Sequence, residues 1–170
     1  PAEIAGRNRM TRRMIIDAIR TDPDWQNGEY ETQPRGLITA IYILIFMTSV
    51  PLQWQKDAPT GAEADQILHE KVEGYMSRFD ANDLLYQVSA SQDYNPAPHL
   101  SQIKAPLLAI NSADDQVNPP ELGLLEAGIE QVERGDYILL PITDETRGHG
   151  THSLPILWQD HLAKLLADNP

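Results

Sequence analysis

The chain has 170 residues, a formal net charge of -12 and no cysteine. That length suffices for one buried core or for part of a larger fold. The acidic balance excludes a phosphate-led nucleic-acid binder, which needs a clustered basic face. The lack of cysteine excludes a disulfide framework, a thiolate metal site and a cysteine nucleophile. The opening "PAEIAGRNRM" has neither a Met start nor a charged n-region followed by an apolar run. The expectation is a soluble piece of a longer polypeptide, cytoplasmic or exported.

Residues 1–93 read mostly as helix. Met10, Met14, Ile15, Ala18 and Ile19 recur at helical spacing. Arg7, Arg9, Arg12 and Arg13 beside them read as a solvated helix face. "TDPDWQNGEY" breaks the pattern with Pro and Asn-Gly, a turn signal. From Gly36 to Gln55 no residue is charged. About 20 apolar residues can span a bilayer, but threonines, glutamines and Pro51 dilute this run, and the reading is a buried or pocket-lining helix with no membrane span. Ala62 to Arg78 resumes helical spacing through Ala64, Ile67, Leu68, Val72, Tyr75 and Met76, and Asp80 to Tyr86 reads as a separate short helix. The proline-rich "SQDYNPAPHL" is a connection.

After residue 100 the pattern changes. "APLLAIN" is a short continuous apolar run, expected for a strand buried on both faces. "SADDQVNPPEL" supplies a loop and a helix start, with Asn118 as cap, proline in the first turn and Glu121 at the positive end. Leu122 to Val132 continue that helix and Gly135 ends it. "DYILLPI" reads as a second buried strand. The loop "TDETRGHGTH" follows, and Ser153 with Pro155 starts a last helix. Strand, loop, helix repeated twice implies a parallel sheet with covering helices. Two strands make no stable sheet alone, so further strands are expected from sequence beyond this chain or from another chain.

In open parallel sheets the reacting groups gather beyond the carboxyl ends of the strands, where both polar loops fall. An acidic residue after one strand and a histidine after the next follow the last two steps of the Ser, Asp, His chain order of α/β-hydrolases. A serine hydroxyl needs a base to take its proton, and an imidazole serves when an acceptor holds its other nitrogen. Asp115 is read as that acceptor and His149 as the base, with Asp114 and His152 as alternates. None of the serines lies in a G-x-S-x-G elbow, so the nucleophile is expected upstream of Pro1. His149 and His152 with an aspartate also leave zinc open, although loop histidines lack the helical i, i+4 geometry and a clear third ligand.

"DAIRTDPDWQNGEY", "QPRGL", "RFDANDLLY" with "DYNPAP", "APLLAINSADDQVNPPE" and "RGHGTH" together resemble successive blocks of homoserine O-acetyltransferase-like proteins of the α/β-hydrolase superfamily. The resemblance implies a helical lid or cap over residues 1–93 and the C-terminal part of the hydrolase core over 94–170. It places the acid in a D-x-x-x-P stretch, matched from Asp115 to Pro119, and the base in a Gly-His pair, Gly148 and His149. Family members that act on homoserine usually carry an aspartate directly after that histidine, where this chain has Gly150. The implied activity is therefore serine-dependent acyl transfer or ester hydrolysis on a small alcohol or ester. No resident cofactor is implied, and acetyl-CoA is the implied donor if the protein is an acetyltransferase. Lid-mediated homodimers are also implied. The alternative is a non-catalytic module that keeps the fold and dimerises through the apolar helices.

Overall fold

The computed structural model describes residues 1–169, and these divide into two compact units: Ile4–Asp93 in one, and Tyr94 onward with Pro1–Glu3 in the other.

The first unit is helical: α1 (Gly6–Arg20), α2 (Gly36–Met47), α3 (Pro51–Asp57), α4 (Gly61–Met76) and α5 (Ala81–Ser89). Its core joins Ile15, Ile16 and Ile19 of α1 to Leu37, Ala40, Ile41 and Ile45 of α2 and to Leu84, Leu85 and Val88 of α5. The two first helices meet closely at Gly36, where an added Cβ would lie 2.1 Å from the carbonyl oxygen of Ala18. Glycine is the residue that admits such an approach.

The helical expectations hold with three corrections. The uncharged segment is two helices bent by 107°, because Val50, preceding Pro51, is forced extended and Pro51 then suits the first turn of α3. Among the described residues no single helix is long and apolar enough to cross a membrane, although this bent pair passes by length and composition. Met10 and Met14 are exposed, and Ile16 takes the core position instead. Arg9 and Arg12 do not simply face solvent: Arg9 Nη1 donates to the Gln92 carbonyl at 3.0 Å and Arg12 Nη1 to Ser91 Oγ at 2.8 Å.

The loop before α2 and the start of α5 are tied by polar side chains. Trp25 Nε1 donates to Asn82 Oδ1 at 2.9 Å, and Tyr30 OH donates to Asp80 Oδ1 at 2.7 Å. Gln26 and Asn27 take left-handed dihedrals there, with φ of 49° and 58°.

The second unit carries β1 (Leu107–Ser112), α6 (Leu124–Ile129), β2 (Gly135–Leu140) and α7 (Gln159–Asp168). Among the described residues the sheet is β1 and β2, paired in parallel with Leu107 opposite Gly135 and Ser112 opposite Leu140. The strands are mostly half-buried, with only Asn111, Ser112 and Leu140 buried, because two strands and one short helix leave much of each face uncovered. The expected helix from Asn118 is corrected too. A 3-10 turn at Pro120–Leu122 is cut by Gly123 in the left-handed region, φ 64°, before α6 begins. The last helix starts at Gln159, later than expected, after 3-10 turns at Gly148–Ser153 and Pro155–Leu157.

Candidate active site

Parallel pairing sets the location of the site. Ser112 and Leu140 face each other at the carboxyl ends of β1 and β2, and the Ala113 amide donates to the Leu140 carbonyl at 2.9 Å. The two following loops therefore leave the same edge of the sheet, and that level start brings residues far apart in sequence together.

Asp115 lies in the first loop. Its backbone amide donates to the Ser112 carbonyl at 3.0 Å, closing a tight turn off the strand. Its Oδ1 accepts from the amides of Val117 at 2.7 Å and Asn118 at 3.0 Å, a local side-chain turn typical of aspartate. The loop is closed by Asn111, whose Nδ2 donates to the Asn118 carbonyl at 2.9 Å. Asn118 thus does not cap a helix, and its exposed side chain instead lies 3.5 Å from His149 Nδ1.

The second oxygen of Asp115 meets His149. Oδ2 lies 3.0 Å from His149 Nδ1. A carboxylate only accepts, so Nδ1 carries the proton in this pair and Nε2 is left as the acceptor nitrogen. Asp115 is 3% exposed while the His149 side chain is 39% exposed, a buried carboxylate behind an accessible ring. Burial pushes the Asp115 carboxyl up, yet its pKa is lowered overall. The hydrogen bond from His149, that from the Asn118 amide, the His149 charge and the Val117 amide together outweigh burial.

The histidine loop is shaped by Gly148, φ 54°, a left-handed position that favours glycine. Gly150 is different: an added Cβ would make an ordinary contact with the Arg147 Cβ at 3.4 Å, so the backbone does not demand glycine after His149. His152 Nδ1 donates to the His149 carbonyl inside the 3-10 turn, and the two rings are 5.2 Å apart at 56°. His152 is thereby committed to the backbone and, among the described residues, has no aspartate partner.

Asp114 is buried beside Asp115 but faces other groups: Ser112 Oγ donates to its Oδ1 and Thr146 Oγ1 to its Oδ2 at 2.9 Å. Sequence reasoning did not find Asn111, Thr146 or Thr151, the last accepting from the Arg147 amide at 2.9 Å. Nothing in their local sequence marks them, because each acts on a partner fixed by the loop's path. Among the described residues no group of three or more His, Asp or Glu is arranged to hold a metal ion.

The arrangement can bind a proton at His149 Nε2 and stabilise the resulting imidazolium through Asp115.

No protein-family model matches the chain. It is 30% identical over 128 residues to a homoserine O-acetyltransferase of Carboxydothermus hydrogenoformans, covering 61% of this chain and 34% of that protein. Its structure matches a homoserine O-acetyltransferase from Bacillus anthracis with a TM-score of 0.80 at 19% identity, over 97% of this chain and 51% of that one. It matches the acetyl esterase MekB with a TM-score of 0.75 at 22% identity, over 98% of this chain and 52% of that one. The chain spans about half the length of these solved structures and a third of the curated relative. It therefore carries the C-terminal part of an α/β-hydrolase fold and is similar, in sequence and in fold, to homoserine O-acetyltransferases.

Proposed function

We propose that this chain supplies the acid and base of a Ser-Asp-His triad for acyl transfer or ester hydrolysis, with the serine upstream in the same polypeptide. The observation that carries this is the buried Asp115 carboxylate, held by two amides on one oxygen and paired with His149 on the other. In the reaction the serine hydroxyl attacks the acyl carbonyl while His149 Nε2 takes its proton. The tetrahedral intermediate collapses to a serine ester, and His149 returns the proton to the leaving group. An acceptor alcohol or water, deprotonated by the same nitrogen, then releases the acyl group.

The similarity to a homoserine O-acetyltransferase and an acetyl esterase supports acetyl as the transferred unit. Acetyl-CoA as its donor, if the acceptor is an alcohol, is proposed on the family resemblance alone. Gly150 stands against homoserine as the acceptor, since the resemblance leads one to expect aspartate there. Residues 1–93 are assigned as the lid, and the exposed Tyr42, Phe46 and Leu52 support a surface through which two copies pair.

The test is turnover of acetyl esters, with and without acceptor alcohols, by the full-length protein. His149→Ala abolishes it, by about a thousandfold or more, and His152→Ala stays within about threefold of the parent, since His152 has no carboxylate to orient it. The reverse pattern overturns the assignment of the base. An inactive parent whose dimer, followed by light scattering, is lost on Phe46→Asp marks the non-catalytic module instead.

A further inference from the structure

We propose that Asp114, next to the acid, is a positioning residue whose two oxygens tie the end of β1 to the histidine loop and so set the distance between His149 and Asp115. The proposal rests on the triad reading above. Asp114 is 6% exposed, and the triad chemistry gives it no part. A carboxylate in such a place is costly unless fully hydrogen-bonded. Its partners belong to two different elements: Ser112 Oγ at the last residue of β1, and Thr146 Oγ1 in the histidine loop, three residues before His149.

Thr146 is itself buried, at 2% exposure, and its hydroxyl sits inside a closed turn. Thr146 Oγ1 accepts from the Thr143 amide at 3.2 Å, and the Thr146 amide donates to Thr143 Oγ1 at 3.3 Å. On the other side of His149, Thr151 Oγ1 accepts from the Arg147 amide at 2.9 Å. The histidine therefore lies on a short span between two buried threonines, and only the first is anchored to the acid loop. Without the Asp114 carboxylate the span keeps its internal turns but loses its register against Asp115. Loss of the Thr146 hydroxyl also removes its bonds to the Thr143 amide and carbonyl, while the bonds from the Thr146 amide to Thr143 Oγ1 and from the Arg147 amide to Thr151 Oγ1 stay. The adjacent aspartates divide the work: Asp115 faces the imidazole and Asp114 the loop that carries it.

The test uses the full-length protein with Thr146→Ala, Thr146→Ser and Asp114→Asn, each checked for folding by circular dichroism and thermal melting. Two quantities are read: kcat and KM for acetyl-ester turnover, and the downfield Nδ1 proton of His149 in nitrogen-edited NMR, assigned by its loss in His149→Gln. Thr146→Ala lowers kcat about ten- to a hundredfold, the effect of misplacing a reacting group by a fraction of an ångström to an ångström. KM stays within about twofold, and the downfield resonance is lost. Thr146→Ser, which keeps the hydroxyl, restores both. If Thr146→Ala does not fold, Asp114→Asn, which keeps the shape and loses one acceptor, shows the same paired losses. A folded Thr146→Ala or Asp114→Asn that retains either the parent kcat or the resonance overturns the proposal, as does a folded Thr146→Ser that fails to restore either one. The resonance needs no turnover, so it reads the tie even if His149→Ala leaves activity intact, an outcome that overturns the triad reading alone.

Discussion

The Asp115 carboxylate divides its two oxygens between two tasks: Oδ1 accepts from the amides of Val117 and Asn118, and Oδ2 faces His149 Nδ1 at 3.0 Å. The first pair of bonds fixes the carboxylate without help from the histidine, so the ring meets an acceptor already in place. Such preorganisation lets a pair stabilise charge formed during reaction without first rearranging.

Replacing Asp115 by Asn separates geometry from charge. The asparagine oxygen can still accept from the two amides, but its NH2 group then faces Nδ1 and selects the wrong imidazole tautomer. The expected result is a fall in kcat of about a thousand- to ten-thousandfold, with the fold preserved at neutral pH. The substitution also changes acid stability. The Asp115 pKa is lowered in the folded state by the opposing contributions described above, net of burial. Its stabilisation is therefore present above the unfolded value of about 3.9 and is lost as pH falls through the folded value. Urea midpoints of parent and Asp115→Asn should differ at pH ~7 and converge on acidification below about 3.9.

Gly148→Ala places a Cβ on a backbone with φ 54°. The left-handed conformation costs an L residue about 1–2 kcal/mol. The loop relieves this by shifting, which displaces His149. Thermal melting should fall by several degrees, at about 2–4 °C per kcal/mol for a chain of this size, and activity should fall with it. An unchanged melting point and kcat would show that the loop needs no glycine there.

Asp80 holds the helical unit together in a comparable way. Its carboxylate accepts from Tyr30 OH at 2.7 Å, Gln33 Nε2 at 2.6 Å and the amides of Asn82 and Asp83 at 2.9 and 3.2 Å. Burial raises its pKa, but the bonds from Gln33, Tyr30 and the two amides outweigh it and the net shift is downward. Asp80→Ala removes a helix cap and two side-chain partners, and should cost about 1–2 kcal/mol at neutral pH. Because the folded pKa is depressed, that cost shrinks as pH falls from about 3.9 through the folded value. Urea denaturation of both proteins at neutral and acid pH measures the difference.

The sequence by itself determined the succession of elements. The apolar runs before "SADDQVN" and "TDETRGHGTH" became β1 and β2, and their order implied the parallel pairing now seen, because hydrophobic period and length are local properties. The same order brings the two polar loops to one edge of the sheet, while Asp115 and His149 within them are singled out by the D-x-x-x-P and Gly-His matches of the family resemblance. What only the tertiary structure decided lies beyond local pattern. Ile16 rather than Met10 fills the core of the helical unit, because a stripe of apolar spacing does not say which side of it a neighbour covers. Asn118 leaves the helix it was expected to cap and approaches His149, because Gly123 breaks the chain before a regular helix can begin. The two aspartates are adjacent in sequence and opposite in use, since the direction each carboxylate takes depends on Thr146 and His149, brought to it from across the sheet.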